Sequence, residues 1–194
     1  MHLHITDDIA SDIRQVPDNQ EVYLDNDGYT SIVIDILERV EAPSDQEALK
    51  VHLQDVVEED AGDVRVYGTG QAHFAKLPYF LSPQFNQLIS SNPLTLHSQG
   101  TPAYTLLATS PPGAKQRGRP HEPDFVGILL TLIRLEEKQT DLVVSINVPH
   151  LAGQYVAGDV EFEKGKLGFL MERARGMREV LMGSLEVREW GLFV

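Results

Sequence analysis

Polar and apolar positions alternate in Glu21-Val22-Tyr23-Leu24, which predicts a half-buried strand. Val16-Pro17-Asp18-Asn19-Gln20 leads into it with turn residues after the proline, and Asp25-Asn26-Asp27-Gly28 is a strong turn after it. In Ser31 to Val40 the β-branched residues also suit a strand start. The separation of faces favours a helix. At about 100° per residue, Ile32, Val33, Ile36, Leu37 and Val40 fall together, and Ser31, Asp35, Glu38 and Arg39 fall opposite. Thr30 or Ser31 would cap this helix. Its Asp35 and Glu38 would be surface neighbours, with Ile34 projecting beside Glu38 as an apolar spot between carboxylates. A solvated face with one stray Ile fits the same pattern.

Ala42-Pro43-Ser44 breaks the chain, and Ser44-Asp45-Gln46-Glu47 is a capping box that opens a second helix towards Glu58. His52 on that helix reads as packed or hydrogen-bonded rather than catalytic. From about 62 to 102 the pattern predicts an irregular insertion. It holds a strand at Val64 to Tyr67, a turn at Gly68-Thr69-Gly70 and a short helix at Gln84 to Ile89. Tyr104 to Thr109 is a strand. Phe125 to Leu135 is nearly continuous apolar, a central strand covered on both faces, and Thr140 to Val148 returns antiparallel. Leu167, Leu170, Met171, Ala174, Met177 and Leu181 make the stripe of a last helix over one sheet face. Leu185 to Val187 is a closing strand, with Trp190, Leu192 and Phe193 anchoring the tail. Met1 to Ile5 alternates weakly and is a first strand for Glu21 to Leu24. The expected class is α+β, an antiparallel sheet flanked by helices, in a single domain over residues 1–194.

Composition narrows the function. A net charge of −13 argues against a nucleic-acid surface and favours a basic protein partner, although simple solubility gives the same sign. The absence of cysteine excludes disulfides, thiolate chemistry and cysteine-based zinc sites. No apolar run reaches the ~20 residues of a membrane helix, and the first residues lack a signal-peptide pattern. His2 and His4 would share a strand face, but no third metal ligand has matching spacing. Lys115, Arg117 and Arg119, the one basic cluster, read as part of a flexible loop. Gly68-Thr69-Gly70 lacks the third glycine and helix of a phosphate loop, and no nucleophile elbow, zinc-protease motif or Walker loop occurs. No catalytic set, metal or cofactor is expected.

Three blocks carry a family resemblance: Asp12-Ile-Arg-Gln-Val-Pro-Asp-Asn-Gln-Glu-Val-Tyr23, Ser31-Ile-Val-Ile-Asp-Ile-Leu-Glu38 and Gln139-Thr-Asp-Leu-Val-Val-Ser-Ile-Asn-Val-Pro149. They resemble the Mog-one family, Ran-binding nuclear import proteins also described as Ran guanine-nucleotide release factors. The resemblance implies a fold similar to that of the photosystem protein PsbP, and a starting β-hairpin opened by a glycine-containing apolar segment. This chain departs there: either His2-Leu3-His4-Ile5 substitutes for that segment or the start is truncated. The resemblance also implies a monomeric partner of the GTPase Ran, found in nucleus and cytoplasm, without nucleic-acid or membrane binding. Asp35 and Glu38 match the family's acidic pair implicated in Ran contact. Ile34 is the expected apolar anchor between them, and Asp18 and Glu21 are further candidates; Asp18 serves equally well as a turn builder. Two other readings stand beside it: an adaptor for a different basic partner, which the acidity fits equally well, and a PsbP-like metal- or cofactor-associated protein of photosynthetic membranes, which the resemblance in fold implies.

Overall fold

The structure is a computed structural model that describes residues 17–57, 63–77, 101–113 and 117–188. Its strands are β1 (Gln20–Leu24), β2 (Ser31–Glu38), β3 (Arg65–Phe74), β4 (Thr101–Ser110), β5 (Phe125–Leu135) and β6 (Thr140–His150). Its helices are α1 (Asp45–Val56) and α2 (Gly168–Ser184). Among the described residues one antiparallel sheet runs in the order β1-β2-β6-β5-β4-β3, with β1 and β3 outermost. The class is α+β, as expected.

The main correction falls on Ser31 to Glu38, which is a strand and not a helix. Ile32, Val33, Ile34 and Ile36 are β-branched, and such side chains fit the pleat better than a helical turn. The segment is paired on both sides, Val22 with Val33 and Val33 with Ser145. A run with apolar residues on both faces satisfies the helical and the strand period alike. Here both faces are apolar because the sheet is covered twice. Ile32, Ile34, Leu129, Ile133, Leu142, Val144 and Ile146 pack with Met171, Ala174 and Met177 of α2. Leu106, Ile128, Leu130, Leu132 and Val143 pack with Ala48, Leu49 and Leu53 of α1. Each such fully buried aliphatic chain contributes about 1.5–3 kcal/mol.

The capping box forms its expected bond: Ser44 Oγ accepts from the Glu47 amide at 3.2 Å. The helix runs towards Glu58 and ends at Val56, ahead of the acidic run Glu58-Glu59-Asp60, whose carboxylates are unfavourable at a helix C-terminus. The strands at 125–135 and 140–150 and the last helix lie where the pattern places them. Gly68 and Gly70 do not form a turn. They lie inside β3, where the register shifts between Val66 and Gly68. Edge exposure makes that strand weakly apolar and hard to read from pattern. The predicted irregular region therefore begins with ordered sheet, since Arg65–Phe74 pairs with β4. Leu185 to Val187 forms no strand, although Leu185 and Val187 pack against the α2-side core. The expected strand at 1–5, the short helix at 84–89, and residues Lys115, Trp190, Leu192 and Phe193 lie outside the described residues.

Candidate partner-binding surface

The β1–β2 hairpin builds this surface. Its turn closes with the Asp25 amide donating to Thr30 O at 2.9 Å and the Asp27 amide donating to Asp25 Oδ1 at 3.2 Å. Arg173 of α2 ties the turn down, with Nη2 at 3.1 Å from Asp25 Oδ2. At the other end Asn19 continues the ladder. Its carbonyl accepts from the Ile36 amide at 2.8 Å, and its side-chain Nδ2 donates to Ile36 O at 3.1 Å. The turn that Pro17 introduces is real: the Gln20 amide donates to Pro17 O at 2.9 Å.

Strand geometry redistributes the sequence-predicted residues. Side chains three apart on a strand point to opposite faces, so Asp35 and Glu38 are not neighbours on one face. Asp35 faces the α1 side with Val33 and Leu37. Glu38 shares the α2 side with Ile34 and Ile36 and is exposed. Glu21, cross-strand from Ile34, is on that same side and accepts from Tyr23 Oη at 2.7 Å. Ile34 is only 8% exposed and belongs to the α2-side core. It is no projecting anchor; burial under α2 uses the side chain for packing. Asp18 is exposed in the turn just before β1. Asp18, Asp35 and Glu38 still gather at one end of the hairpin, since Asp35 pairs with Gln20 and strands rise only about 3.3 Å per residue.

Two hollows flank that end. The larger, about 730 Å³, lies on the α1 side, where α1 leaves part of the sheet uncovered. Val22, Val33, Leu37, Val56 and Val143 give it an apolar lining; Gln20, Asp35, His52, Asp55, Ser145 and Asn147 supply its polar groups. Gln20 Nε2 donates to Asp35 Oδ1 at 2.6 Å, which fixes that carboxylate. The smaller hollow, about 400 Å³ on the α2 side, joins Asp18, Glu21 and Ile34 to Leu185 through Arg188. Ile34 contributes only to its floor.

Behind the larger hollow is a buried polar network that motif reading missed. His52 Nε2 lies 2.9 Å from Asp141 Oδ2, and the Val40 amide donates to the same oxygen at 3.1 Å. Arg134 donates through Nε to Asp141 Oδ1 at 3.1 Å and through Nη1 to Asp45 Oδ1 at 2.9 Å, and its Nη2 donates to Val40 O. Burial pushes the Asp141 carboxyl up, but the bonds from His52, Val40 and Arg134 and the Arg134 charge outweigh it, and the net direction is down. Burial likewise opposes the Arg134 charge, yet Asp45 and Asp141 raise its pKa above the ordinary value. The expectation that His52 is hydrogen-bonded holds. The only sequence signal for the rest was a lone arginine inside the apolar run of β5. Among the described residues, no group of three or more His, Asp or Glu is arranged to hold a metal ion.

The family described as Ran-interacting Mog1 protein matches residues 5–149, well over half of this chain. The chain belongs to the Mog1 family. Among its Mog1 relatives, the nuclear import protein mog1 of Schizosaccharomyces pombe is 27% identical over 141 residues, covering 72% of this chain and 66% of that one. A probable ran guanine nucleotide release factor of Dictyostelium discoideum is 28% identical over 134 residues, covering 69% and 60%. The chain thus spans two thirds or less of the length of these relatives. A solved structure of a Mog1 mutant superposes with a TM-score of 0.58 at 25% identity, covering 96% of this chain and 88% of that one. The expected Mog1 membership and fold both stand.

Proposed function

We propose that this chain binds the small GTPase Ran and promotes release of its guanine nucleotide, in support of nuclear protein import, as a monomer shared between nucleus and cytoplasm. The observation that carries this reading is the gathering of Asp18, Asp35 and Glu38 at one end of the β1–β2 hairpin, in a chain of net charge −13 that belongs to a family described as Ran-interacting. Asp35 and Glu38 engage Lys or Arg of the GTPase from opposite faces of β2. Asp18 and Glu21 extend the acidic rim. The apolar contact comes from Val33 and Leu37 in the larger hollow rather than from Ile34.

Release follows from linkage. A protein that binds nucleotide-free Ran more tightly than loaded Ran lowers nucleotide affinity by the same factor. No covalent bond is made or broken, so no catalytic residue is required. Exposed charges chiefly raise the association rate, while desolvated ones cost ~2–5 kcal/mol on truncation. The test is the double variant Asp35→Ala, Glu38→Ala in a binding assay with purified Ran. Weakened binding with an unchanged thermal melt supports the reading. Unchanged affinity removes β2 from the interface and favours an adaptor for a different basic partner.

A further inference from the structure

His52 is 1% exposed and lines the larger hollow, yet its Nδ1 has no hydrogen-bond partner among the described residues. The other ring nitrogen is committed. The Asp141 carboxylate accepts only, so Nε2 donates to it, and in the neutral tautomer this leaves Nδ1 as the bare nitrogen. Nδ1 then presents a lone pair. Asp55 Oδ2, also an acceptor, lies 4.0 Å from it. Two acceptors that face each other at this separation do not satisfy one another, and a buried acceptor left without a donor is rare in folded proteins.

The remaining lining defines what fits between them. Asp35 offers a second carboxylate, of which only Oδ1 is engaged by Gln20. Among the described residues that line the hollow none is Lys or Arg, so none of them neutralises the two carboxylates. Val22, Val33, Leu37, Val56 and Val143 present apolar surface suited to methylene groups. Residues 1–16 carry three Asp and one Arg, so charge disfavours the chain's own start as occupant.

We propose that this hollow is a seat for a basic side chain, a lysine or arginine carried by a partner protein. Its N–H groups bridge His52 Nδ1, Asp55 and Asp35, and its aliphatic stem lies on the valines and Leu37. The proposal rests on the reading of this hairpin end as the partner surface, and adds α1 to it. His52 acts as an acceptor and Asp55 as the counter-charge on the helical wall.

The test is ¹⁵N and ¹H NMR of the full chain at pH 7.5, titrated with three short peptides: heptalysine, heptaarginine and heptalysine acetylated at every ε-amine. In the free protein His52 should show the Nε2–H tautomer with unprotonated Nδ1. A basic peptide should shift the His52 Nδ1 resonance and the backbone signals of Asp35 and Asp55, and the acetylated peptide should not. Asp55→Asn, at a side chain 68% exposed and so tolerated by the fold, should weaken peptide binding about threefold. Glu172→Gln on the outer face of α2 should leave it unchanged. A protonated Nδ1 in the free protein, or peptide shifts that avoid His52 and Asp55, would overturn the seat. The same Asp55→Asn protein assayed against Ran separates the two ideas. Wild-type binding to Ran that Asp55→Asn leaves intact sinks the seat alone. Peptide shifts at His52 in a wild-type protein that ignores Ran sink the Ran reading alone.

Discussion

His52 and Asp141 stand 89 positions apart in the chain, yet His52 Nε2 lies 2.9 Å from Asp141 Oδ2 with both side chains out of solvent. This contact joins α1 to β6. Through the second Asp141 oxygen it reaches Arg134, and through Arg134 it reaches Asp45 at the start of α1. The helix that walls the larger hollow is thus pinned to the sheet by polar contacts at two points, besides the packing of Leu49 and Leu53.

Asp141→Asn should lower the unfolding free energy by about 3–5 kcal/mol, because it leaves Arg134 short of a buried counter-charge. The pH profile should change as well. The folded Asp141 carboxyl sits below its ordinary value of 3.8, so its contribution is present above that value. It is lost as pH falls through the folded value, since the unfolded chain binds the proton first. Urea unfolding from pH 7 down to pH 2 should show a steep acid limb in the wild type and a flatter one in Asp141→Asn. Parallel limbs would mean that Asp141 is not the dominant acid-sensitive group.

His150 adds a second, higher window. Burial lowers its pKa below the ordinary 6.5, against the opposing bond to Val148 O and the Asp124 charge. Its ring stacks on Phe125 with centroids 4.1 Å apart. A histidine kept neutral in the fold is protonated more readily in the unfolded chain. Stability should therefore begin to fall as pH drops below about 6.5, ahead of the Asp141 limb. NMR titration of the His150 ring gives the direct check: a midpoint at or above 6.5 would contradict it.

Gly127 of β5 lies against α2. A Cβ there would collide with Met171 Sδ, and Met171 is fully buried. Gly127→Ala should cost about 1–3 kcal/mol by overpacking, and Met171→Ala about 2–5 kcal/mol by leaving a cavity. Because the two occupy the same space, the double variant should be more stable than the sum of the single losses allows. Additive losses in a denaturant-based double-mutant cycle would show that Met171 moves aside freely.

What the sequence disclosed and what it concealed follow from the same physics. The capping box at Ser44, the apolar run of β5 and the Met171-Ala174-Met177 stripe each have one dominant period, and each element was legible. Ser31 to Glu38 has apolar residues on both faces, so its period was ambiguous, and the β-branched side chains should have been weighted more heavily. That one misreading moved Ile34 from the core to the surface and placed Asp35 and Glu38 side by side. β3 was obscured by its exposure at the sheet edge. The His52–Asp141–Arg134 network was invisible because its members meet only once β5, β6 and α1 are assembled. Pattern alone already sets Asp35 and Glu38 apart as candidates, the family resemblance adds the expected partner, and the hollow beside Asp35 emerges only from the fold.

Release of a fluorescent guanine nucleotide from purified Ran, with and without this chain, at low and moderate salt, decides whether the chain acts as a release factor. Faster release that weakens as salt rises, and that falls towards the intrinsic rate with Asp35→Ala, Glu38→Ala, is the predicted result. An intrinsic rate at every concentration of a protein shown to be folded by its thermal melt would mean that the chain does not promote release.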